Sequence, residues 1–290
     1  MFIDIHGHAY RKPGPPQDGR TIFPSPEEVL KRYDELEIDA GILLPLIGPE
    51  TYLPQSNEDI LEMSENSNGR FIPFCNIDPR GISNSPDAPL DIWLNYYKKA
   101  GCKGLGEVMP NLDFVDPRVL NLFKHAENIG FPVIFDSCDR IGGRYGLHDD
   151  PGLPQLEYCL QTFPRLKILG HGPAFWAEIA ELKEPLSKNA YPNYPVEKEG
   201  AVPRLLRKYD NMYADLSAGS GFNAFSRDPE YAVKFINEFQ DKLFYGTDIC
   251  SFKQNIPMPG FLLDLKSKGK ISKTVFDKVA RENAIALLDL

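Results

Sequence analysis

Phe2-Ile3-Asp4-Ile5-His6-Gly7-His8 opens the chain as an apolar run that carries two histidines one residue apart. Aromatic and β-branched residues suit a strand, and alternate side chains on a strand share a face, so His6 and His8 project into one space. Two imidazoles side by side make a pair of metal ligands that zinc, iron or manganese accept. Two histidines can also simply hydrogen-bond inside a barrel. Later strands ending in further ligand-type residues favour the metal.

Working outward, short β-branched or aromatic runs alternate with longer amphipathic stretches, a pattern of βα units around a parallel sheet. Strands are expected at 2–8, 40–46, 71–77, 104–109, 133–135, 167–169, 212–216 and 243–245. Ser25 before Pro26 and two glutamates is a helix entry, with serine as cap and proline in the first turn. Further helices are expected at 60–64, 90–100, 116–129, 153–163, 202–208, 229–240, 273–280 and 282–288, and a helical piece near 176–182. Gly101 and Gly130 follow two of them as C-terminal stops. Ser217-Ala218-Gly219-Ser220-Gly221 reads as a glycine-rich turn, without the lysine of a phosphate loop. Eight strands with intervening helices make an α/β fold, the (β/α)8 TIM barrel, the best single-domain solution for residues 1–290, with a long insertion at about 172–211 after the sixth strand.

Composition bounds the function. The chain has 290 residues, 42% hydrophobic and 25% charged, ordinary for one soluble globular domain. A formal charge of −9 argues against nucleic acid or an anionic membrane as partner and leaves a small-molecule substrate. The longest apolar runs, such as 40–47, are too short to cross a bilayer, and Asp4 and His6 interrupt any secretory signal. Five cysteines without motif spacing suggest reduced thiols, hence a cytoplasmic location. The long insertion offers surface for a homodimer.

In a (β/α)8 barrel the chemistry sits at the C-terminal strand ends. Here those ends carry His6 and His8, Glu107, Asp136, His171 and Asp248, residues costly to bury unless paired or ligating. The set resembles the amidohydrolase superfamily, specifically its amidohydrolase-related (amidohydrolase 2) branch of metal-dependent hydrolases. The resemblance spans nearly the whole chain and rests on Ile3-Asp4-Ile5-His6-Gly7-His8, Gly106-Glu107, Leu169-Gly170-His171, Tyr213 to Ser217, Phe244 to Asp248 and Glu282-Asn283-Ala284. It implies a divalent metal on His6, His8 and Asp248, zinc first and manganese second, as one or two ions. It also implies that His171 assists catalysis or binds a second metal. Members include hydrolases of cyclic amides and lactones, nonoxidative decarboxylases and some hydratases.

One position departs from the family pattern: the fifth strand ends in Asp136 where a histidine is usual. Either Asp136 supplies an oxygen ligand, or Glu107 completes the set and Asp136 orients a water or a histidine. Asp248 is expected to ligate and to accept a proton from water, although it could instead cap the next segment. His171 is expected to polarise a carbonyl or shuttle a proton. Arg140 and Arg144 are candidate donors to a substrate carboxylate, His148 a candidate substrate contact, and Trp176 with Tyr191 and Tyr194 a candidate lid. His125 reads as structural. The expected function is metal-dependent hydrolysis of a small lactone or amide, the alternatives being nonoxidative decarboxylation of an aromatic or unsaturated carboxylic acid and a non-catalytic ligand-binding barrel.

Overall fold

The structure is a computed structural model and describes residues 1–16, 22–51, 53–183 and 188–290. Ser25 opens the first helix, Pro26–Glu35, with a reciprocal cap: its hydroxyl accepts from the Glu28 amide and its amide donates to the Glu28 carboxylate. Val29 and Tyr33 form the buried stripe of that helix. Among the described residues ten strands run in chain order: β1 (Phe2–Gly7), β2 (Ile38–Leu43), β3 (Phe71–Pro73), β4 (Leu105–Val108), β5 (Val133–Phe135), β6 (Ser137–Cys138), β7 (Leu147–His148), β8 (Ile168–Gly170), β9 (Met212–Asp215) and β10 (Leu243–Phe244).

Parallel pairing gives two arcs, β1-β2-β3 and β10-β9-β8-β5-β4. Two parallel bridges join them, Cys75 to Leu105 and Gly7 to Ile249. The result is an eight-stranded (β/α)8 barrel. β6 and β7 stand outside it as a small parallel ladder beyond β5. Ile3, Ile5, Ile42, Ile72, Phe74, Ile134, Leu169 and Phe244 fill the interior, and Ala284 and Leu288 of the last helix, Asn283–Leu288, pack into the same cluster. A second, larger apolar layer lies between strands and helices.

Two departures from the sequence reading have physical causes. Ser217 to Gly221 is no turn: Ser217 directly precedes the helix Ala218–Ser226, and the rest of the stretch forms its first turn. Two glycines argue against a helix there, but Phe225 is buried against Trp176, Phe235 and Phe261, and that packing overrides propensity. The helix Met258–Ser267 also escaped the sequence reading, because prolines at 257 and 259 mask its start. No helix of the described residues is long and apolar enough to cross a membrane.

Between β8 and β9 the chain makes a long connection containing the helices Pro173–Ala177 and Ala201–Lys208. Lys188, fully buried, ties this connection down. Its ammonium donates to the carbonyls of Asp149 (2.8 Å) and Asp150 (2.7 Å) and pairs with Glu178 at 3.0 Å.

Candidate metal centre

Asp4 sets the geometry of the two strands that meet at the site. Its Oδ1 accepts from the amides of His6 (3.0 Å) and Thr247 (2.8 Å), and its Oδ2 from the hydroxyls of Tyr33 (2.7 Å) and Thr247 (2.6 Å). The start of β1 and the segment after β10 are thereby locked together. An irregularity in the β1–β2 register between Asp4 and Gly7 lets Ile5 join the barrel interior while His6 and His8 still face one centre.

Four donor atoms converge there. His6 Nε2 and His8 Nε2 are 3.1 Å apart; Glu107 Oε2 is 3.6 Å from each; Asp248 Oδ1 is 3.7 Å from His6 Nε2 and 3.3 Å from His8 Nε2. A tetrahedron of ligands around zinc, at about 2.0–2.2 Å, has edges of about 3.3–3.6 Å. His6, His8 and Asp248 thus match the ligands of a divalent ion in spacing and in kind, and Glu107 Oε2 lies in the same range of both imidazoles. Each imidazole is also held from behind, His6 Nδ1 by Asp215 Oδ2 at 2.6 Å and His8 Nδ1 by the Leu44 carbonyl at 3.0 Å. Such contacts fix ring orientation at metal sites.

A wider group adjoins the first. His171 Nε2 lies 4.0 Å from Glu107 Oε1 and 3.9 Å from Asp136 Oδ2, so Glu107 turns one oxygen to each group. His171 Nδ1 contacts Ser217 Oγ at 2.9 Å and Asp215 Oδ2 at 3.3 Å. Gly172 allows the approach of Asp136: its φ of +93° is left-handed, and a Cβ there would collide with Asp136 Oδ1.

The electrostatics divide the carboxylates. Burial would raise Glu107, but the charge of His6, with those of His171 and His8, overrides it and holds Glu107 below its usual range. Asp248 is likewise brought down to about 2, burial being outweighed by a hydrogen bond from His8 and by His6 and His171. Asp136 goes the other way: burial first, then the charges of Glu107 and Asp248, push it well above the carboxylate range. The carboxyls are thus pushed apart, Glu107 and Asp248 down and Asp136 up, a separation that suits acid and base partners.

A cleft of about 200 Å³ opens over these groups. His8, Glu107, Asp136, Asp248 and Cys250 form its floor; Ile22, Phe23, Leu46, Leu53 and Met109 supply apolar walls. Glu50 also lines it, neutralised by a bidentate Arg80 at 2.7 Å on both oxygens, and Tyr145 lines it from the loop between β6 and β7.

The amidohydrolase family model matches residues 3–290. The chain belongs to the amidohydrolase family. No curated protein matches it. Among solved structures, a probable 2-pyrone-4,6-dicarboxylic acid hydrolase from Acinetobacter baumannii is 13% identical over 100% of this chain and 99% of the other, with a TM-score of 0.61. An uncharacterised TIM-barrel protein from Bordetella bronchiseptica is 16% identical over 99% and 98%, with a TM-score of 0.63. A 2,6-dihydroxybenzoate decarboxylase from Rhizobium is 16% identical over 99% and 98%, with a TM-score of 0.57. At these identities the likeness is one of fold.

In this amidohydrolase, His6, His8 and Asp248 come together as one donor set, while Asp136 stands with Glu107 and His171; Glu107 also reaches both histidines of the first set at 3.6 Å. The other sequence candidates lie elsewhere. Trp176 is buried among Phe175, Phe225 and Phe235, and its indole donates to the Asp215 carbonyl at 2.8 Å, so it supports β9 and does not line the cleft. Arg140 and Arg144 are exposed, Arg144 facing Asp139 at 3.5 Å, and neither lines the cleft. His148 is turned to Asp113 at 2.6 Å. Tyr194 packs beneath Arg227, and Tyr191 is half exposed, its phenol raised by burial and then by Asp248 and Asp136. Sequence reasoning gave no role to Asp215, Asp4, Glu50 or Tyr145. An aspartate in the apolar stretch of β9 was the available signal for Asp215.

Proposed function

We propose that this amidohydrolase is a metal-dependent hydrolase of a small lactone or amide, with His6, His8, Glu107 and Asp248 as the ligands. The approach of Asp248 and Glu107 to the paired imidazoles of His6 and His8 carries the reading. Two imidazoles favour zinc, with manganese the alternative for the carboxylates. A divalent ion bound there supplies a water of lowered pKa and a Lewis acid for a carbonyl oxygen.

The protein's own groups account for the proton movements. Asp248, ionised at neutral pH, takes a proton from the attacking water at the carboxylate oxygen not turned to His8. Asp136, whose carboxyl is pushed upward by burial and by Glu107, is the group placed to give a proton to the leaving oxygen or nitrogen, with His171 Nε2 at 3.9 Å to relay it. The apolar walls fit a ring or short acyl chain and exclude bulk water.

A proton held on Asp136 also suits protonation of carbon, so nonoxidative decarboxylation is the second reading. Purified enzyme loaded with zinc and offered lactones, cyclic amides and aromatic carboxylic acids separates the two. Ring opening that consumes water supports hydrolysis; carbon dioxide release without water uptake supports decarboxylation. Asp248→Asn should lower turnover by about 10²-fold or more with the fold intact. Unchanged turnover in that variant removes Asp248 from the chemistry.

A further inference from the structure

Asp215 sits at the end of β9 with no exposed surface, behind the donor set. Its Oδ1 accepts from the Ser217 amide at 2.9 Å, which fixes the carboxylate plane. Its Oδ2 is hydrogen-bonded to His6 Nδ1 at 2.6 Å and also lies 3.3 Å from His171 Nδ1, whose nearer partner is the Ser217 hydroxyl at 2.9 Å. The two rings lie 4.3 Å apart between centroids. Gly246 leaves room for this arrangement, since a Cβ there would come within 2.8 Å of Asp215 Oδ1. The Trp176 indole holds the Asp215 carbonyl on the opposite side.

A carboxylate oxygen only accepts hydrogen bonds. A ring nitrogen facing it must therefore bear hydrogen, or two lone pairs confront each other in a buried site; the Ser217 hydroxyl, able to accept as well as donate, is compatible with a hydrogen on His171 Nδ1. We propose that Asp215 is a positioning residue that, through one oxygen, keeps hydrogen on Nδ1 of both His6 and His171. Both rings are then oriented alike. His6 turns Nε2 to His8, Glu107 and Asp248, and His171 turns Nε2 to Glu107 and Asp136. A single side chain thus prepares one histidine to ligate and the other to move a proton. The inference rests on the reading of His6 as a ligand and adds a coupling between the two roles.

Asparagine at 215 inverts the arrangement. The Ser217 amide retains the amide oxygen at Oδ1, so an NH2 group replaces Oδ2 and donates toward both rings. Each neutral ring must then accept at Nδ1 and carry hydrogen on Nε2, the nitrogen that should ligate or relay.

The experiment uses 15N-histidine-labelled full-length protein, ion-free, to record which ring nitrogens bear slowly exchanging hydrogen, together with zinc affinity by chelator competition. In the wild type both Nδ1 atoms should carry hydrogen. Asp215→Asn should lose both Nδ1 hydrogens and bind zinc about 10–100-fold more weakly. Ser217→Ala removes only the hydroxyl beside His171 and should leave both Nδ1 hydrogens in place. A bare Nδ1 on either ring of the wild type overturns the proposal, as does unchanged zinc affinity in Asp215→Asn. Loss of the His171 Nδ1 hydrogen in Ser217→Ala overturns it too, and does so even where Asp215→Asn fails to fold. Failure of the wild type to bind zinc defeats the metal-dependent reading instead, while the ring hydrogens still decide the role of Asp215.

Discussion

Replacing Tyr33 by phenylalanine removes one hydroxyl from the protein, and its effect should depend on pH. That hydroxyl is one of four donors to Asp4, and both side chains are fully buried. Burial pushes the Asp4 carboxyl from 3.8 up to about 6, against the opposing pull of its donors, the Thr247 hydroxyl foremost. The folded chain therefore keeps this proton to a higher pH than the unfolded chain, and Asp4 costs stability as pH rises from about 4 to about 6. The full cost is about 3 kcal/mol, two pKa units at about 1.4 kcal/mol each. Phenylalanine deletes a donor that favours the charged form, so in the variant the cost grows. At pH 5, with Asp4 protonated, the lost bond should cost about 1 kcal/mol; at pH 8, with Asp4 ionised, about 2–3 kcal/mol. For 290 residues the unfolding entropy is about 0.6 kcal/mol/K, so the melting temperature should fall by about 2 °C at pH 5 and about 3–5 °C at pH 8. Thermal unfolding of ion-free protein at both pH values checks this. Equal losses, or the larger loss at pH 5, would show that Asp4 does not hold its proton as argued.

Three further outcomes are expected. Zinc at one hundred times its dissociation constant should stabilise the protein by about 2.7 kcal/mol, a rise of about 4–5 °C, and His8→Ala should abolish the rise in the same melting assay. Lys188→Met leaves Glu178 buried without its cation and should cost about 3–5 kcal/mol by urea unfolding, partly restored when Glu178→Gln is added. Gly172→Ala forces a side chain into the left-handed region against Asp136, so turnover should fall together with stability; a fully active, fully stable variant would show that the close approach is dispensable.

The strands were legible because apolar runs of matching length recur between amphipathic stretches, and that periodicity survives in the three-dimensional structure. The expected run 133–135 is β5 itself, and 71–77 shortens to β3 with an isolated bridge at Cys75. His6, His8 and Asp248 were visible because polar side chains at strand ends stand out against apolar neighbours. Asp215 belongs to the same pattern but hides behind the histidines, and only the distances reveal which rings it serves. Glu50 and Tyr145 reach the cleft from loops, whose paths depend on contacts such as Arg80 with Glu50 that no local pattern encodes. Trp176 misled for the converse reason. An aromatic residue on a long connection suggests a cover, yet its indole found a carbonyl partner in the core.

The bridge from Gly7 to Ile249 closes the barrel between the two histidines and Asp248. The centre therefore spans the seam where the earliest-made and latest-made strands meet. During synthesis on a ribosome, the histidines emerge long before Asp248, and the full donor set exists only after Asp248 has been added and β10 has docked. Capture of the proposed ion would then wait for the docking of that last strand. A chain stalled before that strand presents two histidines without the carboxylate that completes their set, so bound zinc would report that the circle of strands has shut.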